Sequence, residues 1–144
     1  MTEGEPVEPT CRERQLHDLD GLVADFAAHI PEVLHAVVLS SDGVPLTGSD
    51  RMQGSVYADW VSDVASGLIT FAHGAAGLSG YGAVTQALVA MEWGTLVIMA
   101  IDDAANLAVL TTAADLDMVA YAMTVLVEQA AGLTTSTARG LDTR

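Results

Sequence analysis

The chain contains no lysine, and its five cationic residues, all arginine, stand against nineteen acids for a net charge of −14. Nucleic-acid binders neutralise phosphates with clustered cations, and none are clustered here. An anionic membrane surface is disfavoured for the same reason. A single cysteine, Cys11, excludes an internal disulfide and fits a reducing compartment. Aromatics are scarce at 5%. No basic n-region precedes an apolar run, so Met1–Pro9 with Glu3, Glu5 and Glu8 is not a signal peptide. What is abundant is apolar residue content, 51% of 144 residues, which supports a real core and opposes disorder. A soluble, acidic, cytoplasmic single domain is predicted.

Periodicity then gives the elements. Residues 1–11 read as a disordered acidic arm and residues 134–144 as a polar tail, bracketing a domain at 12–133. Leu16, Leu19, Leu22 or Val23, Phe26 and Ile30 recur at helical spacing, and Pro31 stops that helix. Val33–Ser40 and Val44–Thr47 flank Asp42-Gly43, a hairpin signal, and Pro45 makes the second strand an edge. A turn is expected at Gly48-Ser49-Asp50. The middle helix is predicted from about Met52 to Ala72, with Tyr57, Trp60 or Val61, Val64, Leu68 and Phe71 as its stripe, and Gly74–Gly82 as a loop. Strands follow at Val84–Trp93, Thr95–Ile101 and Asn106–Thr111, then a helix from near Asp115, capped by Gly132. Both faces of the central strands are apolar, which demands cover on both. The predicted fold class is α/β (α+β), a three-layer sandwich of order α-β-β-α-β-β-β-α.

Candidate chemistry is sparse. Asp102-Asp103 with Asp115 and Asp117 lack calcium-loop spacing and read as a hairpin turn and a helix N-terminus, so no metal is expected. His17 and His29 are about three helical turns apart, His35 lies in a strand, and His73 is read as ending the middle helix. Ser40, Ser41 and Ser79 lie in no nucleophile elbow. Gly80-Tyr81-Gly82 precedes a strand, and there is no P-loop, so no cofactor is expected. Arg51 could be imagined as an arginine finger, but reads as a surface residue at a helix start. No enzymatic activity is predicted.

From Val64 to Met91 there is no formal charge, and between Asp63 and Asp102 only Glu92 carries one. Polar residues and glycines interrupt that stretch, so it is no membrane span. Surfaces this poor in charge are expected to be covered by another chain, most simply a second copy.

The stretches Val37-Val38-Leu39-Ser40-Ser41-Asp42-Gly43-Val44-Pro45-Leu46, Ala65-Ser66-Gly67-Leu68, Val89-Ala90-Met91-Glu92-Trp93-Gly94, Asn106-Leu107-Ala108-Val109-Leu110 and Leu133–Leu141, in this order, resemble the roadblock family of dynein-light-chain-like proteins. The likeness is to the bacterial branch that accompanies small Ras-like GTPases. It implies a profilin-like five-stranded antiparallel sheet, with two helices on one face and one on the other. It also implies a homodimer through the middle helix and third strand, involving Tyr57, Trp60, Val61, Val64, Leu68, Phe71, Val84, Gln86 and Leu88. A non-catalytic regulator or scaffold of a Ras-like GTPase follows as the expected function, with docking around Tyr57, Asp59, Trp60, Asp63 and Val64. A sensor kinase is implied among the wider partners. The alternative is a PAS/GAF-like sensory domain, disfavoured by few aromatics and by small sheet residues such as Ala87, Ala90, Ala100 and Ala108.

Overall fold

A computed structural model describes residues 11–50, 57–112 and 116–131, with backbone alone at 11–13, 15–16, 48–50 and 57–59. Residues 1–10 of the acidic arm, the polar tail, Arg51, Asp115 and Gly132 lie outside the described residues, and Cys11, placed in the arm, begins the first helix. The element order is α1 (Cys11–His29), β1 (Val33–Ser40), β2 (Pro45–Asp50), α2 (Tyr57–Ser79), β3 (Gln86–Ala90), β4 (Thr95–Asp102), β5 (Ala105–Thr111) and α3 (Leu116–Ala130). The strands form one sheet in the order β2-β1-β5-β4-β3, every neighbouring pair antiparallel. β2, carrying Pro45, is an edge as predicted.

Side-chain alternation divides the interior into two cores. Val33, Ala36 and Val38 of β1, Val97 and Ile101 of β4, and Leu107 and Val109 of β5 face α1 and α3. Those helices meet them with Leu19, Val23, Phe26 and Ile30, and with Val119, Met123, Leu126 and Ala130, at the 3–4 residue spacing of a buried helix stripe. On the other side Val37, Leu39, Leu96, Ile98, Ala108 and Leu110 face α2 alone. The three-layer sandwich, two helices over one and one over the other, is therefore the fold.

Three local readings change. Gly48–Asp50, expected as a turn, extends β2 by pairing with β1 from His35↔Asp50 to Val37↔Gly48. Ladder pairing outweighs the turn preference of Gly-Ser-Asp. Gly74–Ser79, expected as a loop, continues α2. The third strand is shorter than Val84–Trp93, since only Gln86–Ala90 pairs with β4.

The hairpin between β1 and β2 turns on Gly43, whose φ of 88° lies in the left-handed region. Gly43 N–H donates to the Ser40 carbonyl at 2.9 Å, and Val44 N–H to Ser40 Oγ at 3.1 Å. The turn presses on α2: a Cβ on Gly43 would overlap Ser66 Oγ. Positive φ and missing space act together. Gly43→Ala should cost about 1–3 kcal/mol, read as a lower urea midpoint with an unchanged slope.

Candidate interaction surface

α2 settles the surface by its rotation. Val61, Ala65 and Ile69 face the sheet, with Val64, Leu68 and Ala72 half-buried beside them. Of the predicted stripe of Tyr57, Trp60 or Val61, Val64, Leu68 and Phe71, the structure takes the Val61 alternative, and the inward line continues through Ala65 and Ile69, about one residue round from Val64 and Leu68. Val61 is fully buried within its own chain and cannot serve as a dimer contact, which corrects that assignment. Phe71 points outward and is 78% exposed. From His73 to Ser79 only Ala76 is even half-buried, so the last third of α2 has little cover among the described residues.

That segment is physically anomalous for an isolated domain. Short helices without packing are marginal in water, and Gly74 and Gly77 each weaken a helix by about 1 kcal/mol relative to alanine. Nothing among the described residues explains those glycines, since a Cβ at Gly67, Gly74 or Gly77 would have no described neighbour within contact distance. Leu78 is 93% exposed, and Tyr81 just beyond it 95%. His73, expected to end the helix against its dipole, instead lies exposed inside it.

Alongside runs β3, whose second edge pairs with no strand among the described residues. Its sequence, QALVA, has no charge or proline to discourage a further strand. Gln86, Leu88 and Ala90 are exposed while Ala87 and Val89 are half-buried against the sheet core. Val84 is half-buried just before the strand. The β3–β4 turn, closed by Met91 N–H donating to the Gly94 carbonyl at 2.8 Å, projects Trp93 at 84% exposure. Trp60, Met91, Trp93, Leu34 and Leu110 line an open apolar hollow of about 480 Å³, with Glu92 on its wall.

The two ends of this face differ in shape. Trp60 of the α2 start lies by Met91–Gly94 of the β3 end, whereas Ile69–His73 lie by Val84–Ala87 of the β3 start. Helix and strand therefore run antiparallel, with a hollow at one end and the projecting Phe71, Leu78 and Tyr81 at the other. Among the predicted docking residues, Asp63 is exposed, Trp60 partly so and Val64 half-buried. The side chains of Tyr57 and Asp59 lie outside the described residues.

The remaining candidates are structural. Asp102 Oδ1 accepts from Ala104 N–H at 2.8 Å, tightening the β4–β5 turn. His29 Nδ1 donates to the Asp25 carbonyl at 2.7 Å near the end of α1. His35 is buried in β1, and His17 is exposed on α1. Among the described residues no three His, Cys, Asp or Glu side chains converge as metal ligands. No described helix is long and apolar enough to cross a membrane. The sequence reading did not single out Leu78, Tyr81, Met91 and Trp93 as surface. Tyr81 was placed in a loop and Met91 and Trp93 in a strand, although the lack of charge around them was the available signal.

The model of the Roadblock/LC7 domain matches residues 19–111, from α1 through β5. The chain belongs to the Roadblock/LC7 family. A Roadblock/LC7 domain from Streptomyces avermitilis is 34% identical, with 77% of this chain and 96% of that one covered and a TM-score of 0.53. Another structure of a Roadblock/LC7 domain from the same organism is 28% identical, covering 76% and 92%, with a TM-score of 0.67. MglB of Myxococcus xanthus is 10% identical, covering 92% and 96%, with a TM-score of 0.75, a likeness of fold. No curated protein matches the sequence. Roadblock/LC7 membership displaces the PAS/GAF-like alternative.

Proposed function

We propose that this Roadblock/LC7 protein is a non-catalytic regulatory platform: a homodimer built on α2 and β3, on which a Ras-like small GTPase docks. The observation that carries the reading is the uncovered, uncharged face formed by the last third of α2 and the open edge of β3. A two-fold axis beside Leu88 would pair β3 with its copy and set the α2 helices antiparallel. The same operation brings Phe71, Leu78 and Tyr81 of one protomer to the Trp60–Met91–Trp93 hollow of the other, and the reverse, as an isologous interface requires. Trp60, Val64, Leu68, Phe71, Val84, Gln86 and Leu88 remain the proposed contacts, with Tyr57 at the start of the helix. Val61 is removed from them.

The GTPase is placed on the outer side of the paired helices, around Tyr57, Asp59, Trp60, Asp63 and Val64. Asp59 and Asp63 are i and i+4 on α2, and a dimer doubles them beside an apolar strip. Such a rim suits a reversible interface with a basic patch on the partner. The bacterial branch that the motifs resemble supplies the identity of that partner class. Roadblock/LC7 membership and the absence of a nucleophile elbow or P-loop from the sequence support a non-catalytic role.

The test is the double change Asp59→Ala with Asp63→Ala, measured against Ras-like GTPases of the same cell loaded with a non-hydrolysable GTP analogue. The dimer and its melting temperature should stay nearly unchanged. GTPase affinity should fall by about tenfold and lose part of its salt dependence. Unchanged affinity in a folded dimer would move the docking surface elsewhere.

A further inference from the structure

The opposite face of the sheet carries a second apolar feature that the dimer leaves open. Between α1 and α3 lies a groove of about 520 Å³ floored by Leu22, Phe26, Ile30 and Leu126, with Met118 and Val125 along its α3 side. Tyr121, on that side, is 73% exposed. The core beneath is complete without these outward groups, since Val119, Met123, Leu126 and Ala130 already seal α3 onto the sheet. Exposed Met, Tyr and Val at 118, 121 and 125 repeat at i, i+3 and i+7, a second apolar line on a helix that needs one.

We propose that this groove binds an amphipathic helical segment of a partner protein that carries lysine or arginine flanking its apolar face. The groove lies between two helices and offers no strand edge. An occupant must therefore satisfy its own backbone hydrogen bonds, which a helix does. Its α3 side runs from Met118 to Gln129, about 16 Å, the length of three helical turns with anchors at i, i+3 or i+4, and i+7. The charge of the rim selects the flanks. Asp18 and Asp25 are exposed along α1, and Asp117 and Glu128 along α3. The formal cations of the two helices are Arg12 and Arg14, both in the first turn of α1 and away from the groove, and His29 Nδ1 is engaged by the Asp25 carbonyl. Tyr121 adds a ring face to which a cationic side chain is attracted. A second copy of this chain is disfavoured as occupant because it has no lysine and brings a net charge of −14.

The probe is a fluorescent peptide of leucine, alanine and lysine, about 15 residues long, with its leucines on one helical face. It is titrated against the full chain by anisotropy. Controls are a peptide of the same composition without an apolar face and one with glutamate replacing lysine. Saturable binding of the amphipathic cationic peptide is expected, with both controls at least about tenfold weaker. Tyr121→Asp with Val125→Asp should weaken it by about tenfold or more, and Tyr121→Ala, a milder change at an exposed site, by several-fold. Phe71→Asp, on the other face, should leave it unchanged. Equal binding of the faceless peptide, of the glutamate peptide, or to the groove variants would overturn the proposal. So would an absence of saturable binding, or a fall in solution mass caused by Tyr121→Ala, which would give the groove to a second copy.

Discussion

Val61→Asp will abolish cooperative folding, whereas Trp60→Asp, one residue earlier, will leave a folded chain. Val61 is fully buried among Val37, Leu39, Leu96, Ile98 and Leu110, the core that α2 alone covers. A carboxylate there has no water, and no lysine exists in the chain to pair with it. The penalty is on the order of 4–5 kcal/mol, a large share of the 5–15 kcal/mol that holds a typical domain together. Trp60 is partly exposed, so an aspartate there reaches solvent and acts on whatever covers the hollow instead. Urea titration followed by circular dichroism distinguishes them: no native baseline for Val61→Asp, a single cooperative transition for Trp60→Asp. Equal damage from both would mean that α2 is rotated differently from the orientation described.

Phe71→Asp combined with Leu88→Asp will convert the protein to a folded monomer. Both side chains are exposed in the single chain, so their replacement removes nothing from either core. In the proposed dimer each would place two carboxylates near the two-fold axis or into an apolar hollow, with no lysine in either chain to meet them. Charges desolvated without partners cost several kcal/mol each, enough to shift a micromolar dissociation constant beyond the millimolar range. The far-ultraviolet spectrum should keep most of its helix signal, losing some from the uncovered end of α2. A variant that keeps the dimer mass would put the interface on another face.

How far the sequence carried can be judged element by element. Strand β1 was legible to the residue and the Asp42-Gly43 turn by its position, because β-branched runs and a turn dipeptide act locally. The stripe of α1 through Leu19, Val23, Phe26 and Ile30 was legible because that helix buries one face on the sheet. The phase of α2 was not. Trp60, Val61, Val64, Leu68 and Phe71 put apolar side chains almost all round the helix, so no single stripe stands out to be read. Gly74 and Gly77 spoke locally for a loop, and the helix nevertheless runs to Ser79. That conflict between local preference and structure is what the proposed dimer would resolve, by covering this end of the helix. The groove between α1 and α3 was invisible for another reason: Leu22 and Tyr121 become neighbours only through the fold. Of the residues expected at the interface, Phe71 and Leu88 are exposed and so remain proposed, whereas the burial of Val61 was not legible in the sequence.

The most direct test of the platform is the solution mass of the unaltered chain, measured by light scattering across the micromolar range. One chain weighs 14.9 kDa. Twice that mass, constant over the range and reduced to a single chain by Phe71→Asp with Leu88→Asp, is the predicted result. A mass of one chain throughout would contradict it, because the uncovered third of α2 and the open edge of β3 would then face water.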